Sequence, residues 1–190
     1  MKTFELTGTP RAEYGKKAAK ALRKQDMVPC NLYGLGEQMT FTVTVDAVRK
    51  LIYTPDTMAV SLTVGDKKTM AVVKEMQFHP LTGNVLHIDF LAVDEKKPVT
   101  VEIPVQLTGL AEGVRAGGKL SLDMRKLKVC GIYTQIPERV VIDVTNMGLG
   151  KRLAVSEVTV ENCTLKNVPE ACVAQVRATR ASAAAESAAE

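Results

Sequence analysis

The stretch Met58-Ala59-Val60-Ser61-Leu62-Thr63-Val64, followed by Gly65-Asp66 and then by Thr69-Met70-Ala71-Val72-Val73-Lys74, reads as two strands joined by a tight turn. Val60, Leu62 and Val64 recur every second residue, the period of a half-buried strand. Gly-Asp between two such runs suits a tight hairpin turn. The same alternation extends outward to Thr3–Thr7, Thr40–Val45 and Val85–Leu91. Two short helices interrupt it. One covers Tyr14–Lys24; the other covers Asp46–Tyr53, with Asp46 as N-cap and Pro55 just past its end. After the charged break Asp94-Glu95-Lys96-Lys97-Pro98 a second strand series begins. It comprises Val99–Leu107, Lys119–Leu122, Leu127–Ile132, Val140–Val144, Val158–Val160 and Ala171–Val176, punctuated by glycines and free of any three-turn helix. The expectation is a mainly β protein: a first domain over 1–93, a linker over 94–98 and a second all-β domain over 99–180. Residues 181–190 are only Ala, Ser and Glu, and are expected to be a disordered tail.

Charge is distributed unevenly along the chain. The formal net charge is +4 over 190 residues. From Met1 to Gln25 there are seven cations against two carboxylates, a local excess of +5, so the remainder sums to −1. Such asymmetry points to a polyanion or another acidic surface. Aromatic residues make up 4% with no Trp, which disfavours a site built from several stacked bases. The cysteines, at positions 30, 130, 163 and 172, form no metal-binding or redox spacing, and read as small core residues in a reducing, cytoplasmic setting. No secretory leader and no membrane-spanning run is legible. Neither a cofactor nor a small-molecule substrate is expected.

Two elements carry candidate chemistry. On the first helix, Lys16, Lys17, Lys20, Arg23 and Lys24 fall within an arc of roughly 120°, with Ala18, Ala21 and Leu22 opposite. No glutamate four residues away relieves their repulsion. Arg11 and Glu13-Tyr14-Gly15 lead into this helix, and the face suits a phosphate backbone. A merely solvated basic helix is the plain alternative. In Val85-Leu86-His87-Ile88-Asp89-Phe90, the residues Leu86, Ile88 and Phe90 share one face, while His87 and Asp89 share the other. A carboxylate facing RNA is unfavourable unless it accepts from base amino groups or holds a cation, so Asp89 suits specificity rather than affinity. The alternative is an ordinary exposed strand face. With His79 the only other histidine and no nucleophile or third ligand beside them, His87 and Asp89 suggest neither catalysis nor a metal site. Tyr33-Gly34 suits close backbone approach, although such a pair is more often core packing.

Arg11 with Gly15-Lys16, Leu22-Arg23, Val28-Pro29 and Leu32-Tyr33-Gly34 form one block; Gln77-Phe78-His79-Pro80 with Val85–Phe90 forms another. Together they resemble the bacterial large-subunit ribosomal proteins that bind 5S rRNA. Gly109-Leu110-Ala111-Glu112-Gly113-Val114-Arg115-Ala116-Gly117-Gly118 is similar to the second domain of that family's long form, also called general stress protein CTC. The resemblance implies a six-stranded β-barrel with short helices, bound to the loop E region of 5S rRNA. It implies backbone contacts from Arg11, Lys16, Lys20 and Arg23, with Lys17 and Lys24 on the same basic helix. Tyr33, Lys74, Gln77, His87 and Asp89 would lie on the reading face. The second domain would face neighbouring large-subunit proteins. The chain departs from the usual family pattern at Ala19, Ala21 and Phe78, where Ser, Arg and Arg are frequent.

The leading expectation is therefore a structural, non-enzymatic component of the ribosome in the cytoplasm. A protein-interaction or stress-response factor with only non-specific RNA binding is the alternative. A hydrolase centred on His87 and Asp89 is the third class, and it lacks a nucleophile.

Overall fold

A computed structural model describes residues 1–36 and 38–179. Two compact units emerge, one of Met1–Val101 with Ile132–Thr134, the other of Glu102–Gly131 and the described chain from Gln135 onward. The proposed tail at 181–190 lies outside the described residues.

In the first unit the strands are β1 (Thr3–Pro10), β2 (Met27–Tyr33), β3 (Met39–Thr44), β4 (Ala59–Val64), β5 (Lys67–Phe78) and β6 (Val85–Ala92). They close into a barrel in the order β1-β3-β2-β6-β5-β4, with β4 returning to β1 in parallel. Inward residues alternate with outward ones, as the period-two pattern requires. The core includes Leu6, Val28, Phe41, Leu62, Ile88 and Phe90. The rings of Phe41 and Phe90 pack at 5.6 Å between centroids. Gly65, at φ 57°, turns β4 into β5.

β2 is a strand the alternation does not announce, because Pro29 interrupts it. A proline cannot donate to a ladder and is confined to places where no donor is needed. Here Pro29 sits opposite Thr42 of β3, while pairing with β6 begins only at Cys30 opposite Ile88.

Two short helices flank the barrel. α1 spans Lys16–Lys24 and α2 spans Val45–Tyr53. Thr44, not Asp46, caps α2: its side chain accepts from the Ala47 amide at 3.4 Å, and Asp46 occupies the first turn. There a carboxylate still opposes the positive end of the helix dipole. On α1 the half-buried residues are Ala18, Ala19 and Leu22, whereas Ala21 is exposed. The expected apolar face was therefore rotated by one position.

The second unit carries most of β7 (Val99–Thr108), with α3 (Glu112–Arg115), β8 (Lys119–Leu122), β9 (Lys126–Gly131), β10 (Val140–Asp143), β11 (Arg152–Ala154), β12 (Thr164–Leu165) and β13 (Cys172–Arg177). A four-stranded sheet runs β10-β7-β9-β12, and a three-stranded sheet runs β11-β13-β8. Ile103, Leu127, Val129, Ile136 and Val173 are buried there. The expected strand at Val158–Val160 does not form; a 3-10 turn at Val155–Glu157 precedes it. The family-like glycines have a steric origin. A Cβ on Gly113 would stand 2.6 Å from the backbone carbon of Gly148, and one on Gly118 would stand 2.6 Å from the carbonyl of Gly113. Among the cysteines only Cys30 is fully buried; the other three are half-buried rather than core residues.

Candidate nucleic-acid interface

The outer face of β2, β6 and β5 gathers a compact set of polar side chains. In register, Asn31 of β2 lies opposite Asp89 of β6, which lies opposite Glu75 of β5. One pair along, His87 faces Gln77. Met76 and Ile88, between these pairs, turn inward against the core. Imidazole and carboxylate on β6 approach each other, His87 Nδ1 standing 3.4 Å from Asp89 Oδ1. Tyr33, at the end of β2, is partly exposed beside the row. Burial raises its phenol pKa, and the negative charges of Asp89 and Glu75 add to that rise.

Register shifts frame this patch on both sides, one between Val73 and Glu75, the other between Gln77 and Phe78. Bulges re-aim side chains and interrupt a ladder. At the first, Lys74 is the extra residue. Its ammonium donates to the Thr100 carbonyl at 3.3 Å rather than joining the row of Asp89 and Gln77. At the second, Phe78 pairs with Val85, so Leu86 has no residue opposite it on β5. Val85 takes the buried place expected for Leu86, which is half-buried.

The Leu86 carbonyl holds the basic helix. Arg23 donates to it through Nε at 3.1 Å and Nη2 at 3.0 Å. α1 is thus fixed beside the polar row by one of its own cations. Gly15, at φ 102°, starts the helix without a side-chain cap, and no acidic residue occupies the first turn. Lys16 and Lys17 there oppose the helix dipole, an arrangement relieved by an external anion. The side chains of Lys16, Lys17, Lys20 and Lys24 have no hydrogen bond or ion pair with any described residue. Arg11 is committed to the loop before the helix: Nε donates to the Glu13 carbonyl at 2.6 Å, and its guanidinium lies 5.7 Å from the centre of the Tyr14 ring.

The structure therefore brings Gln77, His87 and Asp89 together, sets Tyr33 at their edge, and lines α1 alongside. Lys74 and Arg11 stand apart from the row. Asn31 and Glu75 are its unanticipated members. Their places follow from the β2–β6 and β5–β6 registers, which no local pattern encodes. Among the described residues no group of three or more His, Cys, Asp or Glu side chains is placed to hold a metal ion. None of the described helices is long and apolar enough to cross a membrane.

Chemically, this surface divides its charge. Cations line the helix, whereas the strand face carries two carboxylates with neutral donors and acceptors. A polyanion would be attracted to the first and repelled by the second unless its base edges, not its phosphates, met the strands.

Comparison with known proteins gives two matches that together cover nearly the whole chain. A model described as the Ribosomal L25p family matches residues 6–90, and one described as Ribosomal protein TL5, C-terminal domain, matches residues 98–180. Large ribosomal subunit protein bL25 of Porphyromonas gingivalis is 57% identical over 183 residues, covering 95% of each chain. The protein of that name from Phocaeicola vulgatus is 49% identical over 188 residues, again covering 95% of each. That of Bacteroides thetaiotaomicron is 48% identical over 194 aligned positions, covering 100% of this chain and 99% of the relative.

Proposed function

The chain belongs to the Ribosomal L25p family, in the long form that carries a TL5-type C-terminal domain, and from this premise we propose that it is a structural component of the large ribosomal subunit that binds 5S rRNA through its barrel. Its role is structural, not enzymatic. The observation that carries the RNA reading is the division of charge just described, with Arg23 tying the cationic helix to the polar strand row.

RNA has a wide, shallow minor groove that a strand face can enter. In that groove guanine offers an amino donor, which a carboxylate such as Asp89 or Glu75 accepts. Gln77, His87 and Asn31 supply the complementary donors and acceptors. Lys16, Lys17, Lys20 and Lys24 meet the flanking phosphates, Arg23 holds the helix in place, and Tyr33 covers the edge. Lys74 and Arg11 shape the bulge and the loop on either side. The loop E region of 5S rRNA, with its widened minor groove, is the expected target. Residues 1–93 form the RNA-binding domain, joined by 94–98 to a second domain over 99–180 that faces neighbouring large-subunit proteins. The working location is the cytoplasmic ribosome.

The test is binding of the full chain to a loop E fragment of 5S rRNA and to a scrambled duplex of equal length, with wild type and Asp89→Ala. Preference for loop E that collapses with Asp89→Ala supports the reading. Equal, salt-sensitive binding to both RNAs would overturn it and leave a basic helix on an interaction factor.

A further inference from the structure

Beside α1 lies a second feature that the strand row does not use. A cavity of about 400 Å³ opens between α1, α2 and the β5–β6 connection. Lys20, Lys24 and Arg49 stand at its rim, with Asp26 the one carboxylate among its lining residues. Met27, Ile52 and Leu86 give it an apolar floor. Tyr53 borders it and is 71% exposed. This ring stands beside Arg49, whose side chain has no hydrogen bond or ion pair with any described residue.

His79 adds directional chemistry. Its Nδ1 accepts from the Leu81 and Thr82 amides, at 3.3 Å each. That places the ring proton on Nε2, so the histidine brings a hydrogen-bond donor to the groove lining. The volume falls within the range of small-ligand sites, which combine an apolar floor with a few placed polar groups. An aromatic ring and an apolar floor suit the faces of a base, a histidine donor suits its edge, and the rim cations suit its phosphates.

We propose that this groove receives a nucleotide extruded from the bound RNA, stacked on Tyr53 with its phosphates held by Lys20, Lys24 and Arg49. The inference rests on the RNA-binding reading and extends it to a second contact surface. Continuity supports the choice of occupant. Arg23 lines the groove and also grips the Leu86 carbonyl, so the groove adjoins the helix that faces phosphates. Four cations against one carboxylate complement a polyanion.

The experiment measures affinity of the full chain for 5S rRNA and for a fully paired duplex, using wild type, Tyr53→Ala, Tyr53→Phe and Arg49→Gln. Tyr53 is exposed, so its replacement should leave the melting midpoint within the ordinary surface range. The expected result is roughly a tenfold loss of 5S rRNA affinity with Tyr53→Ala and retention with Tyr53→Phe. A several-fold loss is expected with Arg49→Gln, and duplex binding should be unchanged throughout. Photocrosslinking of 4-thiouridine-substituted 5S rRNA should give an adduct on the peptide containing Tyr53. If wild type prefers 5S rRNA but Tyr53→Ala binds as well and no such adduct forms, the nucleotide is overturned and an acidic protein segment becomes the occupant to test. If wild type shows no preference for 5S rRNA, the proposed function falls and this inference falls with it.

Discussion

Two nitrogens of Arg23 converge on a single carbonyl, that of Leu86, a residue with no partner opposite it on β5. The cation thus ties α1 to the start of β6 through one side chain. Arg23→Lys keeps the charge but loses the two-pronged geometry. The expected outcome is faster amide exchange across α1, with a stability loss of about 1 kcal/mol, modest because the site is solvent-exposed. Loop E affinity should fall with Arg23→Lys almost as far as with Arg23→Ala. An undiminished affinity with Lys would show that charge alone matters at this position.

The lysines of α1 predict a salt dependence. With about four to six phosphates neutralised, log K for loop E should fall against log salt with a slope of about −3 to −5. Replacing Lys16 and Lys20 together by Gln should make that slope shallower by about 1.5. Asp89→Asn should leave the slope nearly unchanged while lowering preference for loop E over a scrambled duplex. Titrations at several salt concentrations separate the two effects.

The local pattern discloses the strands that alternate, and it discloses the two helices to within two residues. It does not disclose β2, where Pro29 breaks the alternation and is tolerated only because β6 pairing starts one residue later. Nor does it disclose the bulges, which are relations between strands. For that reason Leu86 reads as core, Lys74 reads as part of the recognition row, and Asn31 and Glu75 pass unnoticed. The basic helix and the His87–Asp89 pair are legible because both depend on short-range periodicity. The glycines of the second domain are visible as letters, yet the reason for Gly113 lies at Gly148, which is distant in sequence.

Cys30 predicts an alkaline limit to stability. Burial pushes its thiol up to about 12 from an ordinary 9.0, partly offset by a hydrogen bond with the Ile88 backbone. Between those values the folded chain retains a proton that the unfolded chain has lost. Stability from this group is therefore complete below about pH 9 and declines as pH rises toward 12. Wild type should lose stability with pH more steeply than Cys30→Ala by up to about 1.4 kcal/mol per pH unit. Urea unfolding of both proteins at pH 8 and pH 10.5 measures the difference. The native thiol should also resist aqueous thiol reagents near neutral pH.

Gly8 supplies the sharpest test of barrel packing. In an open strand, Gly→Ala adds stability, because glycine loses more chain entropy on folding. At Gly8 the sign should reverse. A Cβ there would stand 2.5 Å from Cδ2 of Phe41, a ring that is fully buried and packed against Phe90. Phe41 cannot swing aside without disturbing Phe90, so the added methyl must be accommodated by strain. Gly8→Ala should lower stability by about 1–3 kcal/mol, read as a reduced urea midpoint with an unchanged slope. The cause can be isolated by repeating the substitution in a Phe41→Leu background, where the smaller side chain leaves room. There Gly8→Ala should cost little or become favourable, so the double-mutant loss should be smaller than the sum of the two single losses. An equal loss in both backgrounds would place the penalty in the backbone of β1 rather than in the ring it faces.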